Sequence, residues 1–290
     1  MKQPSLLNDI LFKIVFGSES SEPVLRALLN ALLHLEGEQR ILELVILNPN
    51  IDKEYLSEKG PILDVKARDE AGRQYNIEVQ LNPGLGEYIA RSVYYTTKFF
   101  CEQLQRGDDY NSLRRTVSIS LLDFVLFPET QELQSRFSLL EFKQLFPLTD
   151  LLELHYIEFP KFQADKPRNL KTRFERWLHV LKFSDLYDQY HDLPEVLAQE
   201  EGISMAIDSM RKAYAKDEYR ELIEAREKAE RDRVSGLSQA RREGMEIGEK
   251  RGEKREKLSL ATRLLQDGFD KEKVSLLTGL SLEEVEQLKA

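Results

Sequence analysis

The stretch ILDVKARDEAGRQYNIEVQ, residues 62–80, alternates polar and apolar side chains in two runs separated by DEAG. Successive side chains leave a strand on opposite faces, so this period of two predicts a β-hairpin, with Gly72 supplying a positive φ in the turn. A turn centred near Ala71 sets Asp64 directly across from Glu78, with Cβ atoms roughly 4.5–5.5 Å apart. One face then carries Asp64, Lys66, Arg68, Asn76, Glu78 and Gln80. The other carries Leu63, Val65, Ala67, Tyr75, Ile77, Val79 and Leu81, a continuous core face. Like charges facing each other destabilise a sheet unless a cation lies between them. A hard dication with oxygen ligands, Mg²⁺ or Mn²⁺, would turn the repulsion into a site, with the Val79 carbonyl as a further ligand. The alternative is an exposed strand pair whose acids are balanced by Lys66 and Arg68, or a bulge that shifts the register. The pattern leaves these readings open.

Around the hairpin, EPVLRALLNALLHL (22–35) places leucines at helical spacing behind the candidate caps Ser20 and Ser21. LELVILN (42–48) has the composition of a buried strand ended by Asn48-Pro49. Residues 86–105 predict a helix, 115–127 a strand and 151–159 a further strand. From about 165 the chain is helical in pattern, with one amphipathic helix around Trp177, a long run from about 193 to 257, and two short helices about TGLS (278–281). Up to residue 122 the order is helix, strand, strand, strand, helix, strand.

The chain has 290 residues, 41% hydrophobic and 32% charged, which suits a globular protein with a heavily charged helical part. The net charge of −9 argues against bulk attraction to nucleic acid, though not against a local basic groove. A single cysteine excludes a disulfide framework and a cysteine-based zinc site. The N-terminal stretch has no signal-peptide pattern, and no window is apolar enough to span a membrane, so a cytoplasmic location is expected. The four histidines have no metal-ligand spacing, and there is no phosphate-cradling glycine loop and no G-x-S-x-G. Trp177 has the surroundings of a core residue.

NDILFKIVFG (8–17), LLNALL (28–33), LDV (63–65), NIEVQ (76–80), YIARSVYY (88–95) and a glycine-punctuated tail followed by TGLSLEEVEQL (278–288) occur in order over nearly the whole chain. In these pieces the sequence resembles the Rpn family of recombination-promoting nucleases, also described as transposases, within the PD-(D/E)xK superfamily. The resemblance implies an α/β restriction-endonuclease-like core of order αβββαβ on a mixed sheet, followed by an α-helical C-terminal region. It divides the chain into a nuclease-like domain (1–160), a helical extension (161–235) and a C-terminal assembly module (236–290). It implies that Asp64 and Glu78 are the metal ligands and that Gln80 occupies the superfamily's lysine position. A neutral amide can position a water but cannot neutralise charge; Lys66, on the same face, could partly replace the lysine. The implied activity is metal-dependent hydrolysis of DNA phosphodiesters with Mg²⁺ or Mn²⁺, in recombination, transposition or defence against foreign DNA. The rival readings are a nuclease fold kept as an interaction scaffold and an RNA hydrolase.

The resemblance also makes Asp9 or Glu22 an auxiliary acid, against the plainer reading of Asp9 and Lys13 as an i,i+4 ion pair. Arg91 is the candidate phosphate contact, or else a partner for a hairpin carboxylate. In the tail, Gly236, Ala240, Gly244, Gly248 and Gly252 recur every fourth residue. Each glycine costs a helix about 1 kcal/mol against alanine, so the spacing suggests close approach of another backbone, as in a homodimer; a flexible connector is the alternative. The last helices have helix–turn–helix spacing, but Glu283, Glu284 and Glu286 would repel phosphates, which favours self-association over DNA reading.

Overall fold

The computed structural model describes residues 4–51, 64–81, 86–187 and 192–288. Contacts divide the chain into two units, 1–226 and 227–290. The sequence suggested three parts, divided at 160 and 235. Phe162, Leu170, Phe174, Trp177 and Leu178 share one buried cluster with Leu11, Leu28 and Ile77, so the residues after 160 complete the same core as those before it.

In the first unit, α1 (Asp9–Phe16) and α2 (Glu22–Leu32) precede strands β1 (Leu44–Ile46), β2 (Val65–Asp69) and β3 (Gln74–Gln80). Then follow α3 (Tyr88–Cys101), β4 (Thr116–Leu122), β5 (Gln134–Ser138) and β6 (Leu152–Glu158). Helices α4 (Arg173–Phe183), α5 (Glu195–Ala198) and α6 (Ile203–Ala215) come next, and α7 (Asp217–Gln266) begins in this unit. The described elements keep the expected αβββαβ order on one mixed sheet, strand order β1-β2-β3-β4-β6-β5. The β3–β4 and β4–β6 pairs are parallel and the others antiparallel.

The hairpin closes as its residues dictate. Gly72 has φ +80°, and the Asp69 carboxylate accepts from the backbone N–H groups of Ala71 (3.0 Å) and Arg73 (2.8 Å). A short side chain that caps its own turn is the usual reason for aspartate here. Alternation then sends Tyr75, Ile77 and Val79, with Val117, Ile119 and Leu121 of β4, into the main core with α1 and α2. The opposite face meets α3 through Tyr88, Leu122 and Tyr156, with Phe124, Phe127 and Leu154 packed around them, and carries Asn76, Glu78, Ser118 and Ser120 as buried polar groups.

Two strand expectations need correction. LELVILN holds an edge strand of three residues: among the described residues β1 pairs only with β2, buries Leu44 and Ile46, and leaves Leu42 and Val45 exposed. Strand β5 was not anticipated; QSRFS lies at the other edge, mostly exposed, and has no alternation to betray it. Helix α7 also runs to Gln266, past the expected end near 257, and its glycines at 236, 244, 248 and 252 are helical.

The second unit has its own small core. Ala261, Val274, Leu280 and Val285 pack together from the end of α7, α8 (Lys271–Thr278) and α9 (Leu282–Glu286). Gly279 ends α8 at φ +69°, and Ser281 with Glu284 forms a capping box on α9.

Candidate active site

Strands β2 and β3 pair Val65 with Ile77, Lys66 with Asn76, and Ala67 with Tyr75. This is the register expected from the turn. Carried one residue beyond Val65, it sets Asp64 across from Glu78 at the open end of the hairpin. Residues 62, 63 and 82 of the expected hairpin lie outside the described residues.

Glu78 is buried at 7% exposure, and its carboxylate accepts a hydrogen bond from the Tyr88 hydroxyl at the first residue of α3. Burial pushes its pKa up. The Tyr88 hydrogen bond and the Arg91 charge oppose that rise, and the negative charge of Asp64 adds to it. The Tyr88 hydroxyl is itself held well above the ordinary phenol range by burial and by Glu78, and it also interacts with Ser120, the β4 neighbour of Glu78.

Asp64 is half-buried and held mainly through its backbone. Its carbonyl accepts from Lys13 Nζ (3.0 Å) and Asn48 Nδ2 (3.1 Å), while Asn48 Nδ2 also lies 3.3 Å from Oδ1. Asn48 Oδ1 takes the Lys66 N–H at 2.8 Å, so one amide splices the end of β1 to β2. Lys13 is wholly buried and also donates to the Asn48 carbonyl at 2.6 Å. Lys66 sets its ammonium 3.7 Å from Asp64 Oδ2 and 4.7 Å from the centre of the Phe99 ring.

Arg91 stands one turn beyond Tyr88. Its Nη2 donates to Gln80 Oε1 at 2.9 Å, and its guanidinium lies 5.2 Å from the centre of the Tyr88 ring. A cation from the facing helix therefore reaches Gln80. Of the residues named from the sequence, Asp64, Glu78, Gln80, Arg91 and Lys66 lie at this end of the hairpin. Sequence reasoning missed Tyr88, Asn48 and the carbonyl-binding role of Lys13, because each of these acts through a tertiary contact.

Asp9 and Glu22 are engaged elsewhere. Asp9 Oδ2 accepts from Arg226 at 2.6 and 3.0 Å, and Glu22 pairs with Arg26 at 2.8 Å. Among the described residues, no group of three His, Cys, Asp or Glu side chains is placed to hold a metal ion. The oxygen donors at this end of the hairpin, the carboxylates of Asp64 and Glu78 and the amide of Gln80, are of the hard type. A buried carboxylate whose charged form is disfavoured is what a divalent cation would stabilise. Residues of this chemistry are the kind that Mg²⁺ or Mn²⁺ takes as ligands.

Comparison with known proteins bears on the whole chain. A family model described as PD-(D/E)XK nuclease family transposase matches residues 6–240, and one described as the C-terminal HTH domain of the Rpn/YhgA-like nuclease family matches residues 254–290. No curated protein and no solved structure matches. With a match over that much of its length, on a sheet that carries an acid pair at the expected hairpin, the chain belongs to the PD-(D/E)XK nuclease family of transposases and carries the Rpn-type C-terminal helix–turn–helix domain.

Proposed function

We infer that the protein is a Mg²⁺- or Mn²⁺-dependent DNA endonuclease acting in recombination, transposition or defence against foreign DNA, in the cytoplasm. The observation that carries this reading is the β2–β3 register, which runs Asp64 and Glu78 toward one another beside Gln80 and Arg91. A cation bound by the two acids would acidify a water and polarise the phosphoryl group. The chain's own residues supply the rest. Tyr88 fixes the Glu78 carboxylate, and Lys13 with Asn48 fixes the Asp64 backbone. Gln80 orients water, and Arg91 and Lys66 offset charge on the phosphate. In-line attack leaves a free 3′ hydroxyl.

The 1–160, 161–235 and 236–290 parts are proposed to serve as nuclease, extension and assembly regions, with the glycine-bearing helix bringing two copies onto one duplex. The helix–turn–helix domain is the natural second DNA contact, although the first turn of α9 is acidic. A second reading, a scaffold without catalysis, is favoured by Gln80 in the lysine position.

Plasmid DNA incubated with wild-type and Asp64→Ala protein in Mg²⁺, Mn²⁺, Ca²⁺ or EDTA decides between them. Nicking that needs Mg²⁺ or Mn²⁺ and disappears in the variant is the expected result. Absence of nicking under every condition favours the scaffold.

A further inference from the structure

On the other face of the sheet from Glu78, the starts of the parallel strands meet the end of α2 around a cleft of about 640 Å³. The ladder puts Tyr75, Val117, Glu153, His155 and Arg136 on that face, and Arg115 enters just before β4. Glu153 is buried, and its two oxygens are shared by Arg115, Arg136 and, at 2.6 Å, His155 Nε2. Two guanidiniums on one carboxylate leave surplus positive charge in the wall. Of the other charges nearby, Asp69 is committed to Arg73 (2.5 Å) and Tyr75 (2.8 Å), Glu38 stands exposed at the rim, and the negative charge of Asp150 partly offsets that of Arg115.

The groups in the cleft register that surplus. Burial, then Arg136, holds Arg115 below its usual pKa, and its Nε is buried without a hydrogen-bond partner. Burial with Arg136, Arg115 and His34 pushes His155 down to about 4, so its ring is neutral and accepts from Gln134 Nε2 on Nδ1 at 3.0 Å. His34 follows the end of α2 at φ +53°, a left-handed backbone that is strained for a residue with a side chain. Its Nε2 meets Gln134 Oε1 at 3.1 Å.

The geometry points to a binding cleft for a phosphorylated small molecule of mononucleotide size, with its phosphate on Arg115 and Arg136 and its body against Tyr75, Leu35 and His34. Planar guanidiniums match phosphate oxygens in pairs. The volume falls in the range of small-ligand sites and exceeds what a bare anion fills. Because the sheet separates this cleft from Glu78, its ligand is distinct from a phosphodiester at the acid pair.

Titration calorimetry on the full chain tests the assignment, using orthophosphate, pyrophosphate, AMP, GMP and a short DNA duplex as probes. Saturable binding of at least one nucleotide is expected. It should weaken at least tenfold in Arg136→Ala, whose side chain is 63% exposed, and stay unchanged in Arg168→Ala, an exposed arginine outside the cleft. Should Arg136→Ala fail to fold, Arg136→Lys keeps the charge without the fork and is expected to bind several-fold more weakly. The assignment is overturned if neither nucleotide binds at millimolar concentration, if a folded Arg136 variant binds as tightly as wild type, or if only the duplex binds.

Discussion

The hydroxyl of Tyr88 donates to the carboxylate of Glu78, tying the first residue of α3 to the strand beneath it. The bond favours the charged form of an acid whose burial favours the neutral one. Much of what can be measured at this site follows from that opposition.

The first consequence concerns pH in metal-free protein. A carboxyl raised in the folded state holds more protons there than in the unfolded chain. Its contribution to stability is therefore present at low pH and is lost as pH rises from the ordinary carboxylate value through the folded one. Glu78→Gln, which cannot ionise, is expected to lack that slope and to melt above wild type at pH 7. Saturating Mg²⁺ should raise the wild-type Tm and leave the variant's unchanged. Melting curves across pH 4–8, with and without Mg²⁺, check both points; a Glu78→Gln protein that melts below wild type at pH 7 would contradict the buried-acid assignment.

Arg91 and Gln80 are joined by a hydrogen bond across two elements, and the proposed activity gives them one role. Arg91→Ala is expected to slow plasmid nicking by about 10–100-fold, with melting temperature preserved. Gln80→Lys in that background restores a cation at the strand position and should recover part of the loss. In the wild-type background the same lysine faces Arg91 and should not help. Nicking rates of the three variants settle the matter.

Gly202 has φ +83°, and a Cβ placed there would lie 2.7 Å from Ala27 Cβ and 3.1 Å from the buried Trp177 ring. Gly202→Ala should therefore destabilise the first unit by about 2–4 kcal/mol through backbone strain and overpacking. Urea unfolding followed by Trp177 fluorescence, which reports only on this core, measures it.

The tail glycines separate two outcomes by sign. A Cβ added at Gly236, Gly244, Gly248 or Gly252 meets nothing within 4 Å in this chain. Replacing all four with alanine would strengthen an unpartnered helix by about 1 kcal/mol per site. Against a second copy packed on the small-residue stripe, the same change would weaken association. Light scattering is expected to show a dimer for the full chain and a lower mass for the alanine variant and for a 1–230 truncation. A dimer that survives both changes rules out the assembly role.

The hairpin register was legible because two local signals agreed, strict alternation and a glycine at the turn, and the Asp69 cap then reinforced them in the structure. Strand β5 was not, since an exposed edge imposes no pattern on QSRFS. Val45 misled in the opposite direction, an apolar side chain left outward on an edge strand. The acids were visible as sequence, but their supports were not: Lys13 and Asn48 reach Asp64 from 51 and 16 residues away. The arginine-lined cleft was wholly hidden, since its residues come one or two at a time from strands far apart in sequence.

Helix α1 carries both Lys13, which grips the Asp64 carbonyl, and Asp9, whose buried carboxylate is satisfied by Arg226. A nascent chain released short of residue 226 keeps an acid at position 9 without that guanidinium, a defect of several kcal/mol in a dry setting. The helix that supports Asp64 is thus completed by a residue of α7, one turn beyond the last of α7's own core residues, Tyr219 and Ile223. A chain ending before that point is expected to lose the Asp9 pair and, with it, part of what holds α1 and Lys13 in place.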